Sequence, residues 1–595
     1  MMSKQRILLT LVALASLAHR SQAEAQPSAA EWLPAETVVA IEIAEPQALL
    51  DPLLSPAMIG TVTNLPAYQK WTLSPQYEGL GKLVGYLETQ LGTDWKTGLG
   101  KLLGGGVTLG IGPGGETVTC VDAKDEKLLE QLNGIVRAFT RMSAMKQNQQ
   151  GAEGERDYRG VMVMSSGPKE AHAVIGGRLL FVNQASLMPK VLDLRAENGD
   201  KSLSQSPLYQ TARKAVGKGA VGTVFVNLQV LKKTPKFQEA LAKSPEPLAA
   251  LILAELRESV RDANWLALGL YVKDDTLSLR AVTDSFSPTA KSFAIGKGRE
   301  DGVLPPLNVP TAMASLSLYR DLHAFYAAKD ELFPERTSGL VFFENMMGIF
   351  FSGMHLTEGV LAEAKPDIRL VVAPQNYGSA QGTPEIEVPA FAVVMRLRHP
   401  QEFGEVVEEA WQKAIGMASF TRGQKALPGF IIDRVPCGDT RISVASFRPP
   451  KEKAKGPVDI RYNFRPSLAR PGEYLILSST DDLARQLVAV VTQESAHPGK
   501  PMAATHSLLE LKGAQIADIL DANREQLVLK NMVDKGKTRE QADNEMELFI
   551  TALHCVHRAK LNIGTEGGHP LASLELQLKQ PEGAGGQKAA SAGSK

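Results

Sequence analysis

Cysteine is scarce in this 595-residue chain: Cys120, Cys437 and Cys555 are the only three. Three thiols cannot build a disulfide framework, and a chain this long buries enough apolar surface to fold without one. One pair plus a free thiol, or three reduced buried thiols, both fit the count. Net charge is missing as well, with 65 Lys and Arg against 65 Asp and Glu. That balance leaves no electrostatic footprint for nucleic acid or an anionic membrane surface, so neither is expected as a partner. The small basic runs, Lys232-Lys233 and Lys451 to Lys455, read as solvated loops. Beyond the first two dozen residues no run is long and apolar enough to cross a bilayer. The best, Gly339 to Leu356, carries Glu344, Asn345 and His355, so no membrane span is expected in the mature chain.

Catalytic signatures are missing too. There is no G-x-S-x-G elbow, H-E-x-x-H or Walker A loop. Gly110-Ile-Gly112-Pro-Gly-Gly115 matches the dinucleotide-binding G-x-G-x-x-G by letter. That chemistry needs the glycines to open a helix whose N-terminus receives pyrophosphate, but here an apolar strand follows, and a hairpin turn is expected. Ser143-Ala-Met-Lys146 and Lys96-Thr97-Gly98 resemble boxes of penicillin-binding enzymes, in reversed order and without the intervening S-x-N. His554-Cys555-Val-His557 is the one histidine cluster; two ligands do not make a catalytic metal centre, and a polar helix end explains it. No cofactor and no metal are expected.

What the chain does have is a repeated cassette of apolar strand, short polar turn and helix. It starts at Val38, Val118, Leu179, Thr223, Ala314, Ala392, Tyr474 and Leu508. Strands such as Val39-Ala-Ile-Glu-Ile alternate, which buries one sheet face. Closing hairpins such as YVKDDTLSLRAV, with Asp274-Asp275 at the turn, imply antiparallel pairing. Helices such as that of Glu126 to Val136 carry wide apolar stripes suited to packing on a sheet. Ser244 reads as the N-cap of the helix through LAALILAELRESVRD. The expected fold is α+β: antiparallel or mixed sheets with helices packed on one face, built by internal duplication of a strand-turn-helix-rich domain.

Organisation follows. Lys4 and Arg6, the apolar run Ile7 to Ala18 and small residues near Ala23 or Ala25 have the order of a signal peptide. Residues 1–25 are then a leader, 26–284 an N-terminal α+β domain, 285–310 a linker and 311–580 a C-terminal domain repeating the first. Residues 581–595 form a low-complexity tail with nothing to bury. The expected location is periplasmic or extracellular.

One segment stands out as a candidate ligand or partner surface. Phe342, Phe343, Met346, Met347, Phe350, Phe351 and Met354 crowd into one short stretch. Met and Phe make an adaptable apolar surface. A helix at the core of the second domain explains the same composition, and that reading is preferred, with the segment kept as the first place to look for a pocket.

The opening Trp32-Leu33-Pro34-Ala35-Glu36-Thr37, followed by a strand and Pro46-Gln-Ala-Leu-Leu, resembles a family of large exported bacterial proteins common in planctomycetes and relatives. That family carries a domain of unknown function. The resemblance implies export and an α+β architecture; it implies no activity and no site residues. The leading functional expectation is a non-enzymatic binding or scaffolding protein of the cell envelope, with envelope proteins as partners. A carrier of a lipid or other apolar ligand is the alternative, and a hydrolase with a site assembled from distant residues is the third reading.

Overall fold

The computed structural model describes residues 28–579 apart from 65, 147–152, 167–168, 198, 243–245, 285–301, 378–381, 449–456 and 567–568. The expected leader, most of the expected linker, the tail and Ser244 lie outside the described residues. The fold is α+β.

Ten strands fall in the first half: β1 (Val39–Ile43), β2 (Gly106–Ile111), β3 (Thr117–Asp122), β4 (Glu153–Tyr158), β5 (Val161–Ser166), β6 (Ala171–Ile175), β7 (Arg178–Val182), β8 (Gly222–Asn227), β9 (Trp265–Lys273) and β10 (Thr276–Thr283). They pair in the order β4-β5-β6-β7-β3-β2-β1-β8-β9-β10. A short β11 (Gly302–Val303) follows. The second half contributes β12 (Ala314–Tyr319), β13 (Ala364–Ala373), β14 (Ala390–Leu397), β15 (Ile431–Cys437), β16 (Thr440–Ser446), β17 (Ser467–Ala469), β18 (Tyr474–Ser478), β19 (Met502–Ala503), β20 (Thr505–Leu511), β21 (Val556–Glu566) and β22 (His569–Leu578). Apart from β19, which pairs with β11, these run β15-β16-β17-β18-β14-β13-β12-β20-β21-β22. The two orders are the same order.

The halves do not form separate sheets. β10 pairs antiparallel with β22, Leu279 opposite Leu574, and all twenty strands join one sheet. Each closing hairpin ends in a strand with one open edge, and each satisfies the other's backbone groups. Every pairing between these strands is antiparallel, so the sheet is not mixed.

Helices fill the connections. Between β1 and β2 lie α1 (Pro46–Leu53), α2 (Pro56–Thr63), α3 (Pro66–Thr72), α4 (Pro75–Leu91) and α5 (Trp95–Leu103). Then come α6 (Glu126–Lys146), α7 (Leu187–Ala196), α8 (Pro207–Val216), α9 (Leu228–Leu231), α10 (Pro235–Ala242) and α11 (Pro247–Asp262). Glu246, not a Ser, occupies the N-cap of α11. Between β12 and β13 lie α12 (Leu322–Ala327), α13 (Lys329–Leu332) and α14 (Thr337–Phe350); α15 (Glu402–Gln424) and α16 (Asp481–Ala496) follow. The last three, α17 (Gly513–Ala522), α18 (Arg524–Lys535) and α19 (Arg539–His554), connect β20 to β21. No helix among the described residues is long and apolar enough to cross a membrane.

Each half has its own core. In the first, Leu33, Leu180, Met188, Val191 and Trp265 are buried together. In the second, α16 lays Leu483, Leu487 and Val491 on β14, β16, β17 and β18 at a helical spacing of four. The halves also exchange contacts beyond the sheet. Ala250 of α11 packs with Phe325 and Phe333. Arg320, 2% exposed, donates to the carbonyls of Leu251, Ile252 and His506. In the other direction Lys70 of α3 reaches Glu540 of α19 at 2.7 Å, an exposed pair that adds little stability.

Candidate functional site

The helical excursion between β1 and β2 holds an apolar cavity of about 490 Å³. On α4, Leu80, Val84, Leu87 and Leu91 recur at intervals of three and four, so one stripe faces the space. On α5, Trp95, Leu99 and Leu102 do the same, and Leu132 of α6 closes the third side. Among the described residues, only Glu88, Thr93 and Asp94 bring polar side chains to the wall.

Local chemistry fixes the α4–α5 corner. Ser74 caps α4 by accepting the Tyr77 N–H at 3.2 Å, and Pro75 starts the helix with its φ already set. Gly92 ends α4 at φ 63, a left-handed conformation that costs glycine least. Asp94 then caps α5, accepting from the Lys96 and Thr97 N–H groups at 3.1 Å. A hydrogen bond from the Thr97 side chain, followed by those from the backbone, holds its carboxyl below the usual carboxylate range. Glu88 reaches across to accept the Trp95 N–H at 2.9 Å. The two acidic residues at the cavity are therefore occupied in holding its shape. Leu80 and Trp95 stay 46% and 43% exposed, and Leu83 and Tyr86 beside them are exposed too. Such a site offers contact area to an apolar ligand and no group to react with one.

The second half has the same slot between β12 and β13, built differently. Helix α14 packs on α15 there, as α4 meets α6 in the first half. The turn after α14 sends Phe351 and Met354 against a cluster of Leu397, Phe403, Val407, Leu468 and Leu475. Phe351 and Phe403 lie parallel, ring centroids 6.4 Å apart. The protein's own side chains pack the second slot.

This divides the seven residues singled out from sequence. Phe351 and Met354 are packing residues. Phe342 and Phe343 are exposed, and Met346, Met347 and Phe350 are half-buried. The preferred expectation of a core helix is corrected: no residue of α14 is buried. The composition is that of a core, but only one side of the helix meets a neighbour.

Other motifs resolve simply. The glycines at 110–115 serve the β2–β3 hairpin, where the Gly112 N–H donates to Glu116 O at 2.7 Å. Lys96-Thr97-Gly98 opens α5, and Ser143 to Lys146 lies within α6. His554 ends α19 and His557 lies in β21, so the pair straddles a helix–strand junction. Among the described residues no three His, Cys, Asp or Glu side chains gather as metal ligands. All three cysteines are free thiols.

The densest set of perturbed groups lies, mostly half-buried, where α16 meets β13, β14 and the start of β18. Arg369 forks onto Glu494 at 2.6 and 2.7 Å, and the Tyr474 hydroxyl donates to Glu494 at 2.8 Å. Arg396 bridges Glu473 and Asp367, and Lys365 also holds Glu473. Burial, then the hydrogen bond to Glu494, pushes the Tyr474 hydroxyl up to about 12. None of these residues lines the apolar cavity. They read as a satisfied ionic network rather than an acid–base pair facing a substrate.

No curated protein matches the sequence. Among solved structures, crystal forms I, IV and III of TP0453 are similar over 44%, 42% and 42% of this chain and 80%, 78% and 78% of theirs. Identities are 9%, 8% and 7%, with TM-scores of 0.23, 0.21 and 0.22, and at those scores the likeness carries no argument. Residues 136–297, from within α6 past β10, match the family model described as "Protein of unknown function (DUF3352)", so this part of the chain is similar to a domain of unknown function.

Proposed function

We propose that the protein is a non-enzymatic binding protein that works outside the cytoplasm, after loss of a leader near Ala23 or Ala25. In this reading it carries a lipid or other apolar ligand in the cavity between α4, α5 and α6. The observation that carries the proposal is that cavity: about 490 Å³, walled by leucines, valine and tryptophan, within the range of small-molecule sites. Its counterpart slot in the second half supports the reading by contrast, because there the protein packs its own Phe351 and Met354. Each methylene transferred from water to such a wall contributes about 0.8 kcal/mol. A ten-carbon chain therefore gains about 8 kcal/mol before the cost of immobilising it. The repeated strand order supports an origin by internal duplication, after which one slot stayed open.

The test is native mass spectrometry of the protein purified from its own host, followed by organic extraction. An apolar ligand at one per chain, lost in Leu99→Trp while circular dichroism and thermal unfolding stay unchanged, is the expected result. A ligand-free mass in the wild type, or a ligand indifferent to Leu99→Trp, would sink the carrier reading.

A second reading, docking to an envelope protein, is favoured by α14. Phe342 is 71% exposed, and the helix's one charge, Glu344, is paired with Lys329 at 3.2 Å. Phe342→Asp would then abolish complex formation without touching the apolar cavity.

A further inference from the structure

A second cavity, of about 400 Å³, opens where the segment entering β12 passes the ends of β20 and β21. It differs in kind from the first. Its floor is apolar, with Leu307, Val309 and Met313 each buried. Its rim carries Lys512, Arg558 and the imidazole of His557, with Glu510 as the one carboxylate among the described residues of the lining.

The backbone is shaped to bring His557 and Arg558 together. Adjacent residues of a regular strand point to opposite faces. In β21 the pairing with β22 slips between Val556, opposite Leu578, and Arg558, opposite Gln577. His557 is the extra residue of that bulge, and as a result both His557 and Arg558 line one cavity. Bulges next to binding sites characteristically re-aim a side chain in this way. The charges are unevenly used. Arg558 is paired with Glu510. Lys512 makes one long contact, to Pro310 O at 3.5 Å, which leaves ammonium donors to spare. With Arg558 and Glu510 cancelling, Lys512 supplies the rim's uncompensated charge.

We propose that this cleft binds a small amphipathic carboxylate: an anionic head at Lys512 and His557, and an apolar body over Leu307, Val309 and Met313. The site is separate from the apolar cavity of the first half and does not depend on it. A neutral apolar ligand would leave Lys512 without a role, and a bare inorganic anion would make no use of the apolar part of the lining.

Calorimetric titration of the full-length protein tests this with benzoate, using benzyl alcohol and inorganic phosphate as the uncharged and body-free controls. Benzoate is expected to bind, with benzyl alcohol and phosphate each about tenfold weaker. Lys512→Met keeps the apolar stem and should weaken benzoate about tenfold while leaving benzyl alcohol unchanged. His557→Gln serves as an independent variant should Lys512→Met perturb folding. Benzoate and benzyl alcohol binding alike, phosphate matching benzoate, or indifference to both substitutions would each overturn the proposal.

Discussion

Phe351 and Phe342 lie in one apolar run and should behave oppositely when cut back to alanine. Phe351 stacks on Phe403 with ring planes 1° apart and joins the cluster around Leu397 and Leu475. Removing a fully buried phenylalanine costs about 3–5 kcal/mol through lost transfer and the cavity left behind. Phe351 is only mostly buried, so Phe351→Ala should cost about 2–3 kcal/mol. Phe342 is 71% exposed, and Phe342→Ala should stay within about 0.5 kcal/mol of wild type. Urea unfolding measures both, and hydrogen exchange over 337–424 should show loosening in Phe351→Ala alone. The same variant opens in the second half the kind of space the first half already has. The number of bound environment-sensitive apolar dyes should then rise from one to two per chain. Equal costs for the two substitutions would refute the division of this segment into packing and surface residues. An unchanged dye count would refute the likeness between the two slots.

Further outcomes follow from buried charges and thiols. Arg178 lies over the Trp32 ring at 4.7 Å and pairs with Asp122, so Arg178→Met, which strands that carboxylate, should cost about 3 kcal/mol in urea unfolding. Burial opposes ionisation of Glu494, but the Arg369 fork and the Tyr474 hydroxyl outweigh it and hold its carboxyl below the usual value of 4.5. Its stabilisation is therefore complete above pH 4.5 and is lost as pH falls through the lower folded value; Glu494→Gln should flatten that acid limb of the urea midpoint while lowering stability at neutral pH. Asp367 has the opposite sign, since burial raises its carboxyl above 3.8, so Asp367→Asn should cost less at neutral pH than Glu494→Gln. Burial pushes the Cys120 thiol up to about 12, and iodoacetamide on the native protein should label Cys437 and Cys555 while Cys120 reacts only after unfolding.

Local structure was legible in the sequence because it is written locally. All eight cassettes appear as strand then helix, from β1 with α1 to β20 with α17. The hairpin at Gly112 and the turn at Asp274, whose φ is 52, follow from residue types that tolerate such backbone. Adjacency of distant edges was not legible. Alternation in TLSLRAV shows that β10 has two faces, but nothing in it names β22 as the neighbour. The candidate cavity was half legible: the stripe of Leu80, Val84, Leu87 and Leu91 can be read directly, whereas the lack of a side chain filling the space before it cannot. Helix α14 misled for the same reason, since exposure is decided by what packs around a helix and not by its composition.

The pairing of β10 with β22 has a consequence for how the chain comes to be assembled. β22 follows every other described strand in the chain, so during synthesis β10 must wait as an open edge while the whole second half is made. That edge carries Leu277 and Leu279 on an unpaired backbone, the kind of surface on which strands from other chains can add. The same ten residues that complete the second half also shield the first. Shortening the chain before His569 would therefore leave two bare edges at once, β10 and β21, in the middle of what is otherwise one continuous sheet, and expose both to strands of other chains.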